Sequence, residues 1–182
     1  SADSERVKLS EEFIRGLDPA LIEELPIRFL LQDYRKLKRP SQRDLEVLVW
    51  RSRKKETWVW FHARHDRPGL FLEWTQVLFA CGCQIVQSAV QTYDEFGAYD
   101  WSKVKTSRAP AQLKKMMALV DRSRLKSPEV FFDQVTLISQ DDQAGEATLS
   151  FRGKDRPGLL MKAAAALADE GFAIRWARAF TW

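Results

Sequence analysis

The sequence HDRPGLF occupies residues 65–71, close behind the apolar run TWVWFHA at 57–63. Asp, Pro and Gly are the residues expected where a strand gives way to a helix. Asp66 can accept hydrogen bonds from the first N–H groups of a helix, and Pro68 suits the first helical turn. Gly69 lets the backbone or a ligand approach closely. We therefore predict a strand, a tight turn and a helix across residues 57–81.

The same turn recurs as KDRPGLL at 154–160, and the match extends well beyond it. Between Asp66 and Thr92, nine positions are identical at a constant offset of 89 residues: Asp66, Arg67, Pro68, Gly69, Leu70, Leu78, Gly82, Ile85 and Thr92 match Asp155, Arg156, Pro157, Gly158, Leu159, Leu167, Gly171, Ile174 and Thr181. A fixed offset that continues past the helix indicates an internal repeat. Because the second copy stops just after its second strand, we expect the rest of that module to lie beyond Trp182. The start SADSERV has no Met, and we expect an excised or processed piece.

Hydrophobic periodicity predicts the elements around the first turn. Strands at 44–50 and 56–63 form a hairpin, and a helix over 70–81 is stopped by Gly82. Further along are predicted strands at 84–92, 98–104 and 133–140, with a helix in 108–125. The order βαββαβ predicts an α+β, ferredoxin-like fold in which the strand at 133–140 closes the unit.

Three segments follow from this pattern. Residues 1–43 are predicted to be a helical linker, with helix starts at Ser10 and at Asp18-Pro19. Residues 44–142 form the first domain with an extra N-terminal strand. Residues 143–182 form an incomplete second domain of order βαβ.

Composition excludes several classes of protein. The chain is 45% hydrophobic and 30% charged, which is typical of a globular protein. No apolar run approaches the roughly 20 residues of a transmembrane helix, so we expect a cytoplasmic protein without membrane contact. The net charge of +4 favours nucleic-acid binding only weakly, because the densest basic run, RSRKK at 51–55, fits a solvated hairpin tip.

The cysteines and histidines do not predict a metal site. Cys81 and Cys83 lie two apart, and His62 and His65 lie three apart, spacings that match no common zinc module. We expect Cys81 on the buried face of a helix, Cys83 in a turn or strand, and the histidines at a strand end.

Two interpretations of the DRPG turn remain open on the residues alone. In the first, the turn is structural and only starts a helix. In the second, the free N–H groups and positive end of the helix hold a carboxylate, while a nearby Asp or carbonyl oxygen holds an ammonium. The second interpretation would bind both charges of a free α-amino acid.

The doubled turn, the helix closed by Gly and the following Ile-containing strand resemble the ACT domain, a module that often senses amino acids. DLEVLVWRSRKKETWVWFHARHDRPGLF (44–71) and TYDEFGAYDWSKV (92–104), with its Asp100-Trp101 pair, are similar to the C-terminal tandem ACT region of the [protein-PII] uridylyltransferase/uridylyl-removing enzymes. The resemblance covers roughly residues 20–182. Trp74, Phe79 and the CGC at 81–83 depart from the usual pattern, and Gln84 stands near the place of a more common Asx.

The resemblance implies a regulatory fragment that senses glutamine and has no catalytic residue of its own. In the parent enzymes, separate magnesium-dependent domains add UMP to the PII signal protein and remove it. The implied partners are an amino acid, PII through the parent enzyme, and a second ACT module or chain. The implied ligand-binding residues are Asp66, Arg67, Pro68, Gly69, Leu70, Gln84, Ile85, Asp155, Arg156, Gly158 and Leu159. Alternatives are a docking module without ligand, a tandem-ACT transcriptional regulator and, last, a nucleic-acid-binding protein.

Overall fold

A computed structural model describes residues 45–51, 55–93, 97–125 and 129–180. The predicted helices of 1–43, the centre of the basic hairpin tip and the middle of the turn at 93–97 lie outside these residues. The elements are β1 (Leu45–Arg51), β2 (Thr57–Ala63), α1 (Leu70–Ala80), β3 (Gln84–Tyr93), β4 (Gly97–Lys105), α2 (Pro110–Ala118), β5 (Gln134–Asp141), β6 (Glu146–Arg152), α3 (Leu159–Asp169) and β7 (Trp176–Phe180).

Five strands form one antiparallel sheet in the order β1-β2-β4-β3-β7, and β5 and β6 form a separate hairpin. The fold is therefore α+β with an antiparallel sheet and few helices, which is compatible with ferredoxin-like folds. The predicted first hairpin, the helix that starts at residue 70 and the strands at 84–92 and 98–104 are confirmed.

The main core lies between one face of the sheet and the helices. Alternate residues of β2, Val59 and Phe61, point to this face, where Phe61 stacks on Trp74 of α1 with 5.5 Å between ring centroids. The core-facing residues of the helices recur every three or four positions: Leu70, Trp74 and Leu78 in α1, and Leu113 and Met117 in α2. The spacing read from the sequence thus marks the buried faces correctly.

Large aromatic residues occupy the opposite face of the same sheet. Trp58 and Trp60 of β2 alternate with the core residues, and Tyr99 and Trp101 of β4 lie beside them. None of these four side chains is more than 2% exposed. The central strands are therefore buried on both faces, which explains why β2 is a nearly continuous apolar run.

The predicted placement of the strand at 133–140 is wrong. This segment forms β5, but β5 pairs with β6 and not with the first sheet. The edge beside β2 is held by β1, which is joined to β2 by a short loop. The loop between β5 and β6 is just as short, so each strand pairs with its neighbour in sequence at a small entropic cost. The predicted domain boundary at 142/143 falls within the β5–β6 turn.

The repeat consequently begins with the hairpin, before the DRPG turn. Leu45 and Gln134, Thr57 and Glu146, and Leu70 and Leu159 start corresponding elements, each pair 89 residues apart. The hairpin registers correspond as far as Leu137, since Leu45 pairs with Ala63 and Gln134 pairs with Arg152; beyond Leu137 a register shift in β5 has no counterpart in β1.

A pseudo-twofold axis relates the two repeats. Strands β3 and β7 are corresponding elements and pair antiparallel with each other. Ala89 pairs with Arg178, its own counterpart 89 residues on. A contact from one repeat to the other is therefore expected to have a counterpart across this axis, unless the residues differ.

The second predicted helix is shorter than its sequence pattern. Residues 108–125 contain α2 over Pro110–Ala118 and a 3-10 turn over Arg122–Arg124. The Asp121 carboxylate accepts hydrogen bonds from the backbone N–H and the hydroxyl of Ser123. Such local bonds compete with helical ones, which is why Asp favours the end of a helix over its interior.

Candidate functional site

The first DRPG turn starts α1 through a left-handed glycine. Gly69 has φ 82° and ψ −4°, a conformation that costs a residue with a side chain about 1–2 kcal/mol. The N–H of Leu70 donates to the carbonyl of Arg67 at 3.2 Å. Gly69 is therefore needed for the backbone of the turn. A Cβ at this position would meet nothing within 4 Å, so the predicted close approach is not what requires it.

Asp66 does not cap the helix, contrary to the prediction. The N-cap residue of α1 is Gly69, which makes no side-chain cap hydrogen bond. One carboxylate oxygen of Asp66 accepts from the backbone N–H of Arg67, and the other accepts from the hydroxyl of Thr92, both at 2.8 Å. The carboxylate thus ties the turn to the end of β3. Because a carboxylate offers about four lone-pair sites, Asp66 keeps acceptor capacity for a further donor.

The second turn has the same backbone and a different side-chain partner. Gly158 has φ 91°, and the N–H of Leu159 donates to the carbonyl of Arg156 at 3.1 Å. Asp155 accepts a hydrogen bond at 3.0 Å from the side-chain amide of Gln84, which belongs to the first repeat. The structure therefore brings together two predicted site residues that are 71 positions apart.

The pseudo-twofold axis places the first turn against the second repeat as well. The backbone N–H of Thr92 donates to the carbonyl of Arg175 at 2.9 Å. Between the repeats lies a crevice, here called the first crevice. It is lined on one side by residues that include Asp66, Leu70 and Trp74, and on the other by Ala164, Ala168, Phe172 and Ile174.

The first crevice is narrow. It encloses about 310 Å³ including its open mouth, but only about 10 Å³ of this space can hold the centre of a water molecule. That is room for roughly one water, or for one polar atom of a ligand. A whole amino acid can therefore lie at the mouth, but it enters the crevice only if the two repeats move apart.

The remaining predicted residues have different surroundings. Arg67, Pro68 and Arg156 are exposed, whereas Ile85 packs against the core. Arg67 forms an ion pair with Glu73 across the first turn of α1. The turn residues Asp66, Arg67, Gly69 and Leu70 therefore line the first crevice without Gln84 and Ile85 beside them.

Several crevice residues were not predicted from the sequence. Ala164, Ala168 and Phe172 come from the other repeat, and Trp74 was noted only as unusually bulky. Thr92 and Ile174 did carry a signal, because both belong to pairs that match at the 89-residue offset. The other residues showed no such identity, since the axis that brings them together is a feature of the strand pairing.

The cysteines and His62 have different surroundings. Cys81 and Cys83 are buried free thiols, and burial raises the pKa of Cys83 to about 11. His62 stacks on Trp60 and on Tyr99. Among residues 45–51, 55–93, 97–125 and 129–180, no three His, Cys, Asp or Glu side chains group as metal ligands.

Asp100 forms a buried polar cluster with Ser88 and Ser102 in the centre of the sheet. Its side chain is fully buried and accepts hydrogen bonds from the hydroxyls of Ser88 at 2.7 Å and Ser102 at 2.9 Å. Burial raises the pKa of this carboxyl to about 7, against the opposing effect of the two hydroxyls. The cluster does not line the first crevice.

No protein-family model matches the chain, and neither a curated protein nor a solved structure shows significant similarity to it. Within the described part of the chain, no helix has the length and apolar character needed to span a membrane.

Proposed function

We propose that the chain is a regulatory region that binds a free α-amino acid between its two repeats. The observation that carries the proposal is the pairing of β3 with β7, which faces each DRPG turn toward the other repeat. At the first turn, the positive end of α1 and the Asp66 carboxylate stand beside one crevice. These groups are suited to the two opposite charges of an amino acid.

Sensing requires that binding changes the relation between the repeats. Because the first crevice admits about one water-sized group, an amino acid that enters it moves α1 and α3 relative to each other. A neighbouring domain can read such a movement. The proposed region therefore converts the concentration of an amino acid into a change of shape.

Glutamine is the first ligand to test. The resemblance of the doubled turn to the tandem ACT region of the uridylyltransferase family supports this choice. In that role the region would regulate the addition of UMP to PII and its removal by the parent enzyme.

The test is calorimetry and thermal unfolding of the 182-residue chain with glutamine, glutamate, asparagine and serine. We expect saturable binding of one of them. A ligand at 100 times its Kd should stabilise the folded state by about 2.7 kcal/mol. If no amino acid produces a saturable effect, the proposed function is wrong.

A docking function is a second candidate, favoured by the exposed apolar side chains of the β5–β6 hairpin. Val135, Leu137 and Ile138 are each more than half exposed. Exposed apolar surface of this kind is typical of interaction sites. In a pure docking module, Asp66→Ala would lower stability through the lost bond to Thr92 without changing the response to any amino acid.

A further inference from the structure

Trp74 has a buried indole N–H group that has no part in the binding of an amino acid described so far. Its side chain is 1% exposed, and its Nε1–H has no acceptor among the described residues. A buried donor left without a partner costs about 1–3 kcal/mol. Trp60 and Trp101 share this feature but lie on the opposite face of the sheet, whereas Trp74 lines the first crevice.

The counterpart of the first crevice has no such donor. The residue that corresponds to Trp74 at the 89-residue offset is Ala163. Conversely, the residues that correspond to Ala164 and Ala168, which line the first crevice, are Thr75 and Phe79. In the first crevice, α3 therefore presents two alanines opposite an indole N–H without an acceptor, whereas α1 has Thr75 and Phe79 at the corresponding positions and α3 has no indole.

At the second turn, a side-chain hydrogen bond joins the two repeats. Asp155 accepts from the Gln84 amide, and the corresponding pair in the first crevice would be Asp66 and Ala173. The methyl group of Ala173 cannot donate a hydrogen bond. The two turns thus share a backbone conformation but differ in chemistry, because the carboxylate of the second turn bonds to a side chain of the other repeat and that of the first turn bonds within its own repeat.

We propose that the two turns have different functions: the first crevice is the amino-acid site, where Trp74 donates its indole N–H to an oxygen of the ligand, and the second turn is a fastening between the repeats. This inference rests on the proposed function. It adds that each chain has one site and that Trp74 determines its specificity.

The first crevice, which Trp74 lines, has room for such an oxygen. About 10 Å³ is accessible to the centre of a water molecule, which is enough for a single oxygen atom of a carboxylate or carboxamide. Asp66 lines the same crevice and has lone pairs left for an ammonium group. The ligand class is therefore an α-amino acid with an oxygen that reaches the indole.

The test is isothermal titration of the full chain with L-glutamine. We expect a stoichiometry of one per chain. Trp74→Phe keeps an aromatic ring but removes the N–H donor together with part of the indole ring, and its affinity for L-glutamine should fall about tenfold.

A second pair of variants keeps the test valid if Trp74→Phe does not fold. Ala168→Phe brings into the first crevice the side chain that stands at the corresponding position of the other repeat, and it should abolish binding. Phe79→Ala is the matched control, 89 residues earlier, and should change the affinity less than twofold.

The outcomes separate the two proposals. If the wild-type chain binds no amino acid, the proposed function itself is wrong. Two molecules per chain would overturn the inference alone. The same holds if binding survives Trp74→Phe and Ala168→Phe but is lost in Gln84→Ala, because the ligand would then lie at the second turn.

Discussion

Asp100 is the residue whose environment departs most from that of an ordinary aspartate. It lies on the helix-facing side of β4, between Phe61 of β2 and Val90 of β3, and is 0% exposed. The hydroxyl groups of Ser88 and Ser102 donate hydrogen bonds to its carboxylate. A carboxyl in such a place favours its neutral form because the charged form loses its hydration.

The stability of the protein should therefore depend on the ionisation of Asp100. Its pKa is raised to about 7 in the folded state, against about 3.9 for an unfolded chain. The carboxyl contributes stability below about pH 4, and that contribution is lost as the pH rises to about 7. As the pH rises from about 4 to about 7, the free energy of unfolding of the wild-type protein should fall by a few kcal/mol relative to that of Asp100→Asn.

Urea unfolding of both proteins from pH 4 to pH 8 measures this difference. Asp142→Asn, at an exposed carboxylate in the β5–β6 turn, is the control and should run parallel to the wild-type protein. Parallel curves for wild-type protein and Asp100→Asn would contradict the prediction.

At the scale of elements, the contact between α1 and α3 depends on small side chains. Ala163 and Ala164 of α3 are buried, and Ala164 belongs to the same core cluster as Trp74 of α1. In the first repeat the corresponding positions are Trp74 and Thr75. Helix α1 therefore contributes large side chains to this contact and α3 contributes small ones, so the two repeats pack asymmetrically.

Enlarging the small side should therefore destabilise the fold. Ala164→Leu inserts three carbon atoms into a position that is 1% exposed and should cost about 1–3 kcal/mol. Ala166→Leu, on the exposed face of the same helix, is the matched control and should stay within about 0.5 kcal/mol of the wild-type value. The free energy of unfolding in urea measures both changes. Equal losses would show that α3 does not pack through Ala164.

The predicted elements and the observed ones agree where periodicity and turn residues act locally. The helix from residue 70, its stop at Gly82 and the strands on either side all follow from side chains within one or two turns of the chain. The pairing of a strand depends on which other strands compete for its edges, so the residues of β5 alone could not predict that it pairs with β6. The helix over 108–125 was overestimated because Asp121 offers the backbone an alternative partner.

At the scale of the whole molecule, the two repeats differ in how well their hairpins are covered. Strand β2 pairs with β1 and β4 and is almost entirely buried, whereas β6 pairs with β5 and is largely exposed. Leu149 is 38% exposed, and Trp60 at the corresponding position is 0% exposed. The same local architecture therefore stands in two environments.

Hydrogen exchange should resolve this difference. Backbone amides that open locally exchange at a lower free energy than those that require global unfolding. The slowest amides of β2 and β4 should exchange at least about 100-fold more slowly than the slowest amides of β5 and β6. Comparison of positions 89 residues apart removes most differences of local geometry. Similar protection in β2 and β6 would contradict the prediction.

The sequence by itself determined the DRPG turns, the helices they begin and the existence of a repeat, because these depend on nearby residues or on identity at a fixed spacing. The tertiary structure decided what surrounds each turn. Strand β7 pairs with β3. Through this long-range contact, Phe172 and Ala168 line the same crevice as Asp66, and Gln84 donates a hydrogen bond to Asp155. No local pattern encodes a contact between residues so distant in the chain, so two turns with the same sequence were given different neighbours.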